Sequence, residues 1–185
     1  LLLSTIMLAL LSPFMLLVAL IIKLDSKGPV LFSQERVGED EKPFMLYKFR
    51  SMRTDAEAKS GPVWAQEDDP RVTRVGRIIR KLRIDELPQL WNVFKGEMSF
   101  VGPRPERKFF VDDLKTKIPY YSERFTVKPG VTGWAQIKYP YGATEKDALE
   151  KLKYDLYYIK NMSIAFDLMV IFQTVKTVLL GKGAR

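Results

Sequence analysis

Residues Leu1 to Ile22 read LLLSTIMLALLSPFMLLVALII. They carry no charge, and only Ser4, Thr5, Ser12 and Pro13 interrupt the hydrocarbon. About 20 apolar helical residues cross a bilayer core, so the run is just long enough to enter a membrane. It is too long for the apolar part of a secretory signal, and it lacks a basic start and a small-residue cleavage site. Pro13 removes a backbone donor and crowds the turn before it, so the helix is expected to kink or break there. Two readings stand on composition. One is a single kinked spanning helix; the other is a re-entrant helix–break–helix whose ends return to one face. Lys23 and Lys27 follow at once, and such a basic flank marks the cytoplasmic side for what comes next. The chain opens on Leu1 without an initiator methionine, so further sequence is expected upstream.

Outward from this run the composition is basic. There are 30 Lys and Arg against 22 Asp and Glu, a net charge of +8, with no histidine and no cysteine. Disulfides, thiolate metal sites and imidazole general bases are thereby excluded. Catalysis has to use Asp, Glu, Lys, Arg, Tyr, hydroxyls or a metal on oxygen ligands. The positive balance suits an anionic partner: nucleic acid, an anionic lipid surface or a phosphorylated substrate. A length of 185 residues fits one domain plus an appendage.

After a turn at Asp25 to Pro29, Val30–Val37 and Pro43–Met52 predict a β-hairpin around Gly38 to Lys42. Alternation puts Lys48 and Arg50 on one face of the second strand, and Tyr47 and Phe49 on the other. Thr54 to Lys59 predicts a short helix, and Ser60 to Pro70 a polar loop suited to a lid. The acids Glu67, Asp68 and Asp69 in it read as solvated, with metal binding as the alternative. Val72, Val75, Ile78, Ile79 and Leu82 have helical spacing within a crowd of arginines. That basic amphipathic helix fits membrane, phosphate or nucleic acid, but no interleaved aromatics favour the last. Further helices are expected over Leu87–Phe94, from Pro105 to Lys117, over Thr144–Lys160 with Thr144 as cap, and over Ser163–Leu180. The last is apolar but charged in places, which suits a helix on the core or on a membrane surface. Lys95 to Pro105 reads as loop and Pro119 to Pro140 as irregular chain or short strand. Trp134, Tyr139 and Tyr141 fit either a headgroup boundary or ordinary packing.

The chemistry gathers at Arg83-Ile84-Asp85-Glu86-Leu87-Pro88-Gln89-Leu90-Trp91 and at Gly102-Pro103-Arg104-Pro105. Asp85 is expected to cap the helix behind it and to stay ionised at its positive pole, which also attracts phosphate. An ionised Asp can attack phosphorus and form an acyl phosphate. Glu86 would share a divalent ion or assist proton transfer. The hard ion suited to such a site is Mg²⁺, held by carboxylate and phosphate oxygens, with Asp85 and Glu86 as its protein ligands. Arg104, between two prolines, is placed to grip phosphate, and Lys48, Arg50, Arg80 and Lys128 are further candidates.

Across nearly its whole length the chain resembles the monotopic phosphoglycosyl transferases, the bacterial sugar transferase family. The matching stretches are Ser12-Pro13, Gly28 to Gly38, Tyr47 to Met52, Asp85 to Val93, Gly96 to Pro105, Lys128 to Gln136 and Tyr154 to Tyr158. The resemblance implies transfer of sugar-1-phosphate from a UDP-sugar to undecaprenyl phosphate, with release of UMP. It implies Asp85 as the nucleophile carrying the phosphosugar, Glu86 as its partner, Mg²⁺ as cofactor and Arg104 as phosphate binder. It also implies that Ser12 and Pro13 break a re-entrant helix. The expected protein is then α+β and mainly helical, with a small β-hairpin or sheet and amphipathic helices at the membrane surface. Residues 1–22 would form the re-entrant membrane helix and 23–185 a cytoplasmic catalytic domain. It would work at the cytoplasmic face of the bacterial inner membrane, against anionic lipid and without nucleic acid. Pairing into a homodimer is a further expectation. The competing reading is a membrane-tethered binding module built on the basic helix.

Overall fold

The computed structural model describes residues 1–58, 61, 63, 69–140, 142 and 144–179. The apolar run forms one continuous helix, α1 (Leu2–Asp25), with Pro13 inside it. Pro13 has no N–H to give the carbonyl of Ala9. Ser12 Oγ donates to that same carbonyl at 2.9 Å, so the freed acceptor is satisfied from the neighbouring side chain. The helical hydrogen bonding runs on through Ser12-Pro13, the point where a kink or break is expected, and the helix ends at Asp25 instead of Ile22. Among the described residues α1 is the one helix long and apolar enough to cross a membrane. Leu10, Leu16, Leu20 and Leu24 stand exposed on it. Val18 and Ile22 are buried against Phe49 and Ile79, each contributing roughly 1.5–3 kcal/mol over exposure.

The expected hairpin is present. Strands β1 (Leu31–Val37) and β2 (Pro43–Phe49) are antiparallel, with Leu31 opposite Phe49 and Val37 opposite Pro43. The second strand stops short of Met52, which instead makes a single bridge to Val72. Residues 54–58 form turns, not a helix, and Lys59, Glu67, Asp68, Tyr141 and Leu180 lie outside the described residues. Asp69 is buried and paired with Arg71 Nη2 at 2.6 Å.

Helix α2 (Arg74–Lys81) starts at Thr73, whose hydroxyl accepts the Gly76 N–H. A 3₁₀ turn, Ile84–Glu86, leads to α3 (Gln89–Phe94). Then come β3 (Ser99–Val101), α4 (Lys108–Lys117), a 3₁₀ turn at Tyr121–Phe125, β4 (Gly130–Thr132) and α5 (Trp134–Lys138). Helices α6 (Glu145–Lys160) and α7 (Ile164–Leu179) complete the described residues. Thr144 and Asp147 form a complete capping box on α6.

Two departures from the sequence reading matter for the site. Helix α4 starts at Lys108, not Pro105, because the Glu106 carbonyl is taken by the Val37 N–H at 3.0 Å and the chain before it stays extended. Strands β3 and β4 pair in parallel, Ser99 with Gly130 and Val101 with Thr132. Three-residue strands are too short to show an alternating pattern. Their crossing requires glycine: a Cβ on Gly130 would fall 2.1 Å from the Gly102 nitrogen.

Helix α3 is stitched to β2 by Asn92, which is fully buried. Its Oδ1 accepts from Tyr47 N at 3.1 Å, and its Nδ2 donates to Met45 O and Glu97 Oε2, both at 2.7 Å. Behind β3, Val101, Tyr158 and Val170 form the core beneath α7. Trp134 stands edge-on to Phe166 at 5.1 Å, and Tyr139 donates to Asp147 Oδ1 at 2.9 Å, so both aromatics are in packing roles. The outer face of α7 exposes Ile164, Leu168, Phe172 and Val175, one apolar stripe at helical spacing.

Candidate active site

Asp85 and Glu86 sit in the 3₁₀ turn between α2 and α3, and both are buried, each with 7% of its surface exposed. Asp85 is not a helix cap, as the sequence reading had it. Arg83, in the left-handed conformation at φ 56°, precedes the turn, and α3 begins only after Pro88. A three-residue 3₁₀ turn brings little dipole to the carboxylate. The electrostatics come from side chains.

Three cations converge on one oxygen, Glu86 Oε1. Arg104 Nη2 is 2.8 Å away, Lys48 Nζ 3.0 Å and Arg83 Nη1 3.5 Å. Burial opposes the Glu86 charge, but Lys48, Arg104 and Arg83 outweigh it and hold the carboxyl well below the usual range. Asp85 goes the other way. Burial raises its pKa, Lys48 opposes that, and the Glu86 anion raises it further; Arg80 and Arg83 also pull it down. The two carboxyls, one residue apart, are thus pushed to opposite sides of the ordinary value, a pattern that assigns different roles. Burial lowers the pKa of Lys48, with Glu86 working against it, and Glu86 raises that of Arg104.

Of the residues singled out from sequence, Lys48 and Arg104 contact Glu86, and the Arg80 charge acts on Asp85. Arg50 and Lys128 do not. Arg50 is buried at the C-terminal end of α1 and donates to Lys27 O at 2.5 Å, Ser26 O at 2.7 Å and Ser26 Oγ at 2.9 Å. The peptide carbonyls that end a helix lack intrahelical partners, and they compete successfully for this guanidinium. Lys128 is exposed and lines a cavity of about 260 Å³ with Glu39, Ser99, Tyr158 and Asp167, apart from the dyad.

A divalent ion fits this donor set only in part. Among the described residues no group of three or more acids could cage one. Asp85 offers a carboxylate, while the ion pairs of Glu86 with Lys48, Arg83 and Arg104 fall on Oε1. Mg²⁺ is commonly held by one or two carboxylates together with substrate phosphates, and this pair suits that arrangement.

The model of the family described as bacterial sugar transferase matches residues 1–181. The chain belongs to the bacterial sugar transferase family. One similar protein is a UDP-N-acetylgalactosamine-undecaprenyl-phosphate N-acetylgalactosaminephosphotransferase from Aeromonas hydrophila. It is 51% identical over 98% of this chain and 43% of its own length. The exopolysaccharide production protein PSS of Rhizobium leguminosarum bv. phaseoli is 46% identical over 94% of this chain and 90% of its own. A UDP-glucose:undecaprenyl-phosphate glucose-1-phosphate transferase of Escherichia coli K12 is 44% identical over 98% of this chain and 39% of its own. The chain thus spans less than half of the Aeromonas and Escherichia relatives.

Three further arginines, not named as site candidates from the sequence, stand at Glu86 or against the Arg104 loop. Arg83 heads the Asp85-Glu86 stretch, and its left-handed backbone turns it onto Glu86. Arg36 and Arg124 bind backbone carbonyls next to Arg104: Arg36 Nη1 reaches Pro105 O at 3.1 Å, and Arg124 Nη2 reaches Arg104 O at 2.8 Å. Alternation along β1 offered a signal only for Arg36. Nothing local marks Arg124.

Proposed function

We propose that this chain carries the catalytic centre of an enzyme that transfers sugar-1-phosphate from a UDP-sugar to undecaprenyl phosphate. The observation that supports it most is the buried, electrostatically divided Asp85-Glu86 pair. Glu86 organises three cations on one of its oxygens, while Asp85 is a desolvated carboxylate beside them.

In the first half-reaction an Asp85 oxygen attacks the β-phosphorus of the donor. The bond from that phosphorus to the bridging oxygen breaks, and UMP leaves with the bridging oxygen. The sugar phosphate stays on Asp85 as an acyl phosphate. In the second, an oxygen of undecaprenyl phosphate attacks the same phosphorus and the Asp85 carboxylate is regenerated. The product is the polyprenyl diphosphosugar. A desolvated carboxylate with a raised pKa is the stronger nucleophile of the two. Lys48, Arg83 and Arg104 offset the repulsion between phosphate and carboxylate. Mg²⁺ would be held by Asp85, Glu86 and the donor phosphates, and would screen diphosphate charge.

The acceptor is a lipid, and α1 with the apolar stripe of α7 gives the domain two surfaces suited to a membrane interface. We place the site at the cytoplasmic face of the bacterial inner membrane, where Lys23 and the exposed basic side of α2 would meet anionic headgroups. A re-entrant α1 keeps both its ends on that face. Cysteines placed at Leu2 and at Ser26 test this: labelling of both from the cytoplasmic side supports re-entry, and labelling of Leu2 from the periplasm refutes it.

The decisive experiment omits the acceptor. Protein, UDP-sugar and Mg²⁺ should release one UMP per site and leave a phosphosugar on the peptide that contains Asp85. Release of UDP, or turnover with no modified peptide, refutes the covalent route.

A further inference from the structure

Four consecutive carbonyls of the arginine loop each receive a donor. Pro103 O accepts from Gly130 N at 2.9 Å and Glu106 O from Val37 N at 3.0 Å. Between them, Arg104 O accepts from Arg124 Nη2 at 2.8 Å and Pro105 O from Arg36 Nη1 at 3.1 Å. The outer two are backbone contacts of an ordinary kind. The inner two come from arginine side chains, and Arg124 is 7% exposed.

A buried arginine is an expensive way to fill space, and an apolar side chain of similar size often serves stability as well or better. Among the described residues both Nε atoms, of Arg36 and of Arg124, are buried without a partner. Packing therefore does not account for these two side chains. Their contacts do. Arg124 Nη2 forms an ion pair with Asp155 Oδ2 at 3.0 Å and donates to the Arg104 carbonyl. Its Nη1 donates to Tyr121 Oη at 2.6 Å, and the guanidinium lies 5.1 Å from that ring's centre. Asp155, buried on α6, thus pairs by charge with the same nitrogen that reaches the loop. On the far side, Glu106 stands 3.6 Å from Arg36 Nη1.

Pro103 and Pro105 fix their own φ angles and hold the residue before each in extended conformations. What they leave free is the swing of the whole loop. The carbonyl clamps remove that swing, and Arg104 Nη2 then meets Glu86 Oε1 at 2.8 Å. We infer that Arg36 and Arg124, the latter oriented by Asp155 and Tyr121, are positioning residues that aim Arg104 at the carboxylate pair.

This rests on the transferase reading above, and the test separates the two. Sugar-1-phosphate transfer is measured on detergent-purified protein carrying Arg124→Lys, Arg104→Ala or both, alongside thermal unfolding of each. Arg124→Lys should lower kcat/KM by a factor of about 10 to 100 when Arg104 is present and by less than about 2 when it is alanine, because nothing remains to aim. Equal losses in both backgrounds would mean general structural damage and overturn the inference. Tyr121→Phe removes one oxygen, keeps the ring and goes through the same cycle, so a lysine variant that does not fold leaves the question answerable. An unsubstituted protein inert towards UDP-sugar and undecaprenyl phosphate refutes the reaction itself; an active one with additive losses refutes only the aiming role.

Discussion

Lys48, near the end of β2, and Arg50, one residue past it, lie two residues apart and end in opposite kinds of site. Lys48 meets a carboxylate, Glu86 Oε1, in a cluster with Arg83 and Arg104. Arg50 meets neutral oxygens at the end of α1: the Ser26 and Lys27 carbonyls and the Ser26 hydroxyl. The first arrangement holds the Glu86 carboxyl well below its ordinary range, beside the proposed nucleophile Asp85. The second fastens the end of α1 to the residue that follows β2. Of these two cations, one pairs with a carboxylate and shifts its acidity, and the other pairs with neutral oxygens and serves as a joint.

The largest test of that contrast is Asp85→Asn. An amide is a poor nucleophile, so transfer and the donor-only release of UMP should fall by about 10³-fold or more, with the unfolding temperature nearly unchanged. Full activity in this variant would break the chemical side of the comparison.

Lys48→Met comes next. It keeps the length of the side chain and leaves Glu86 with two of its three cations. Transfer should drop by roughly 10²-fold, and stability should fall, though by less than the 3–5 kcal/mol of a buried charge left wholly unpaired. Calorimetry and steady-state kinetics read the two effects separately.

Arg50→Ala should reverse that profile. It removes a buried guanidinium with several charge-assisted hydrogen bonds, and a loss of about 2–4 kcal/mol in stability is expected. Turnover per folded molecule should change by less than about threefold, since no Arg50 contact reaches the dyad. A selective loss of turnover at unchanged stability would erase the distinction between site and joint.

The smallest effect is a pH shift. Activity needs ionised Asp85, whose pKa burial raises above the ordinary 3.8 while Lys48 pulls it down. Protonation removes the nucleophile, so activity is lost as pH falls, and the acidic limb of kcat/KM should lie above 3.8. Without the Lys48 charge the carboxyl is harder to ionise, and in Lys48→Met the limb should move to higher pH. In Arg50→Ala it should stay in place. The two carboxyls are coupled, so the limb reports the pair.

Much of the fold was legible locally. The hairpin, α2, α6 with its Thr144 cap, and α7 each follow from periodicity or capping within a few residues, because those signals come from neighbours in sequence. The β3–β4 pair and the late start of α4 were not legible. Their hydrogen bonds join residues far apart in the chain, Ser99 to Pro129 and Val37 to Glu106. The site divided along the same line. Asp85, Glu86 and Arg104 stood out as unusual residues in stiffened segments. Arg50 and Lys128 looked equivalent to Lys48 because a strand pattern tells which face a side chain takes, not what waits there.

By itself the sequence determined the chemistry available to this protein: no imidazole, no thiol, two adjacent carboxylates, many cations and an apolar helix. Side-chain inventory is a property of composition, and helix or strand period is a property of neighbours. Only the tertiary structure decided which cations face Glu86, which hold carbonyls, and that Asp85 and Glu86 are driven apart in acidity. Those outcomes depend on distance and burial, and both are set by segments that meet only after folding.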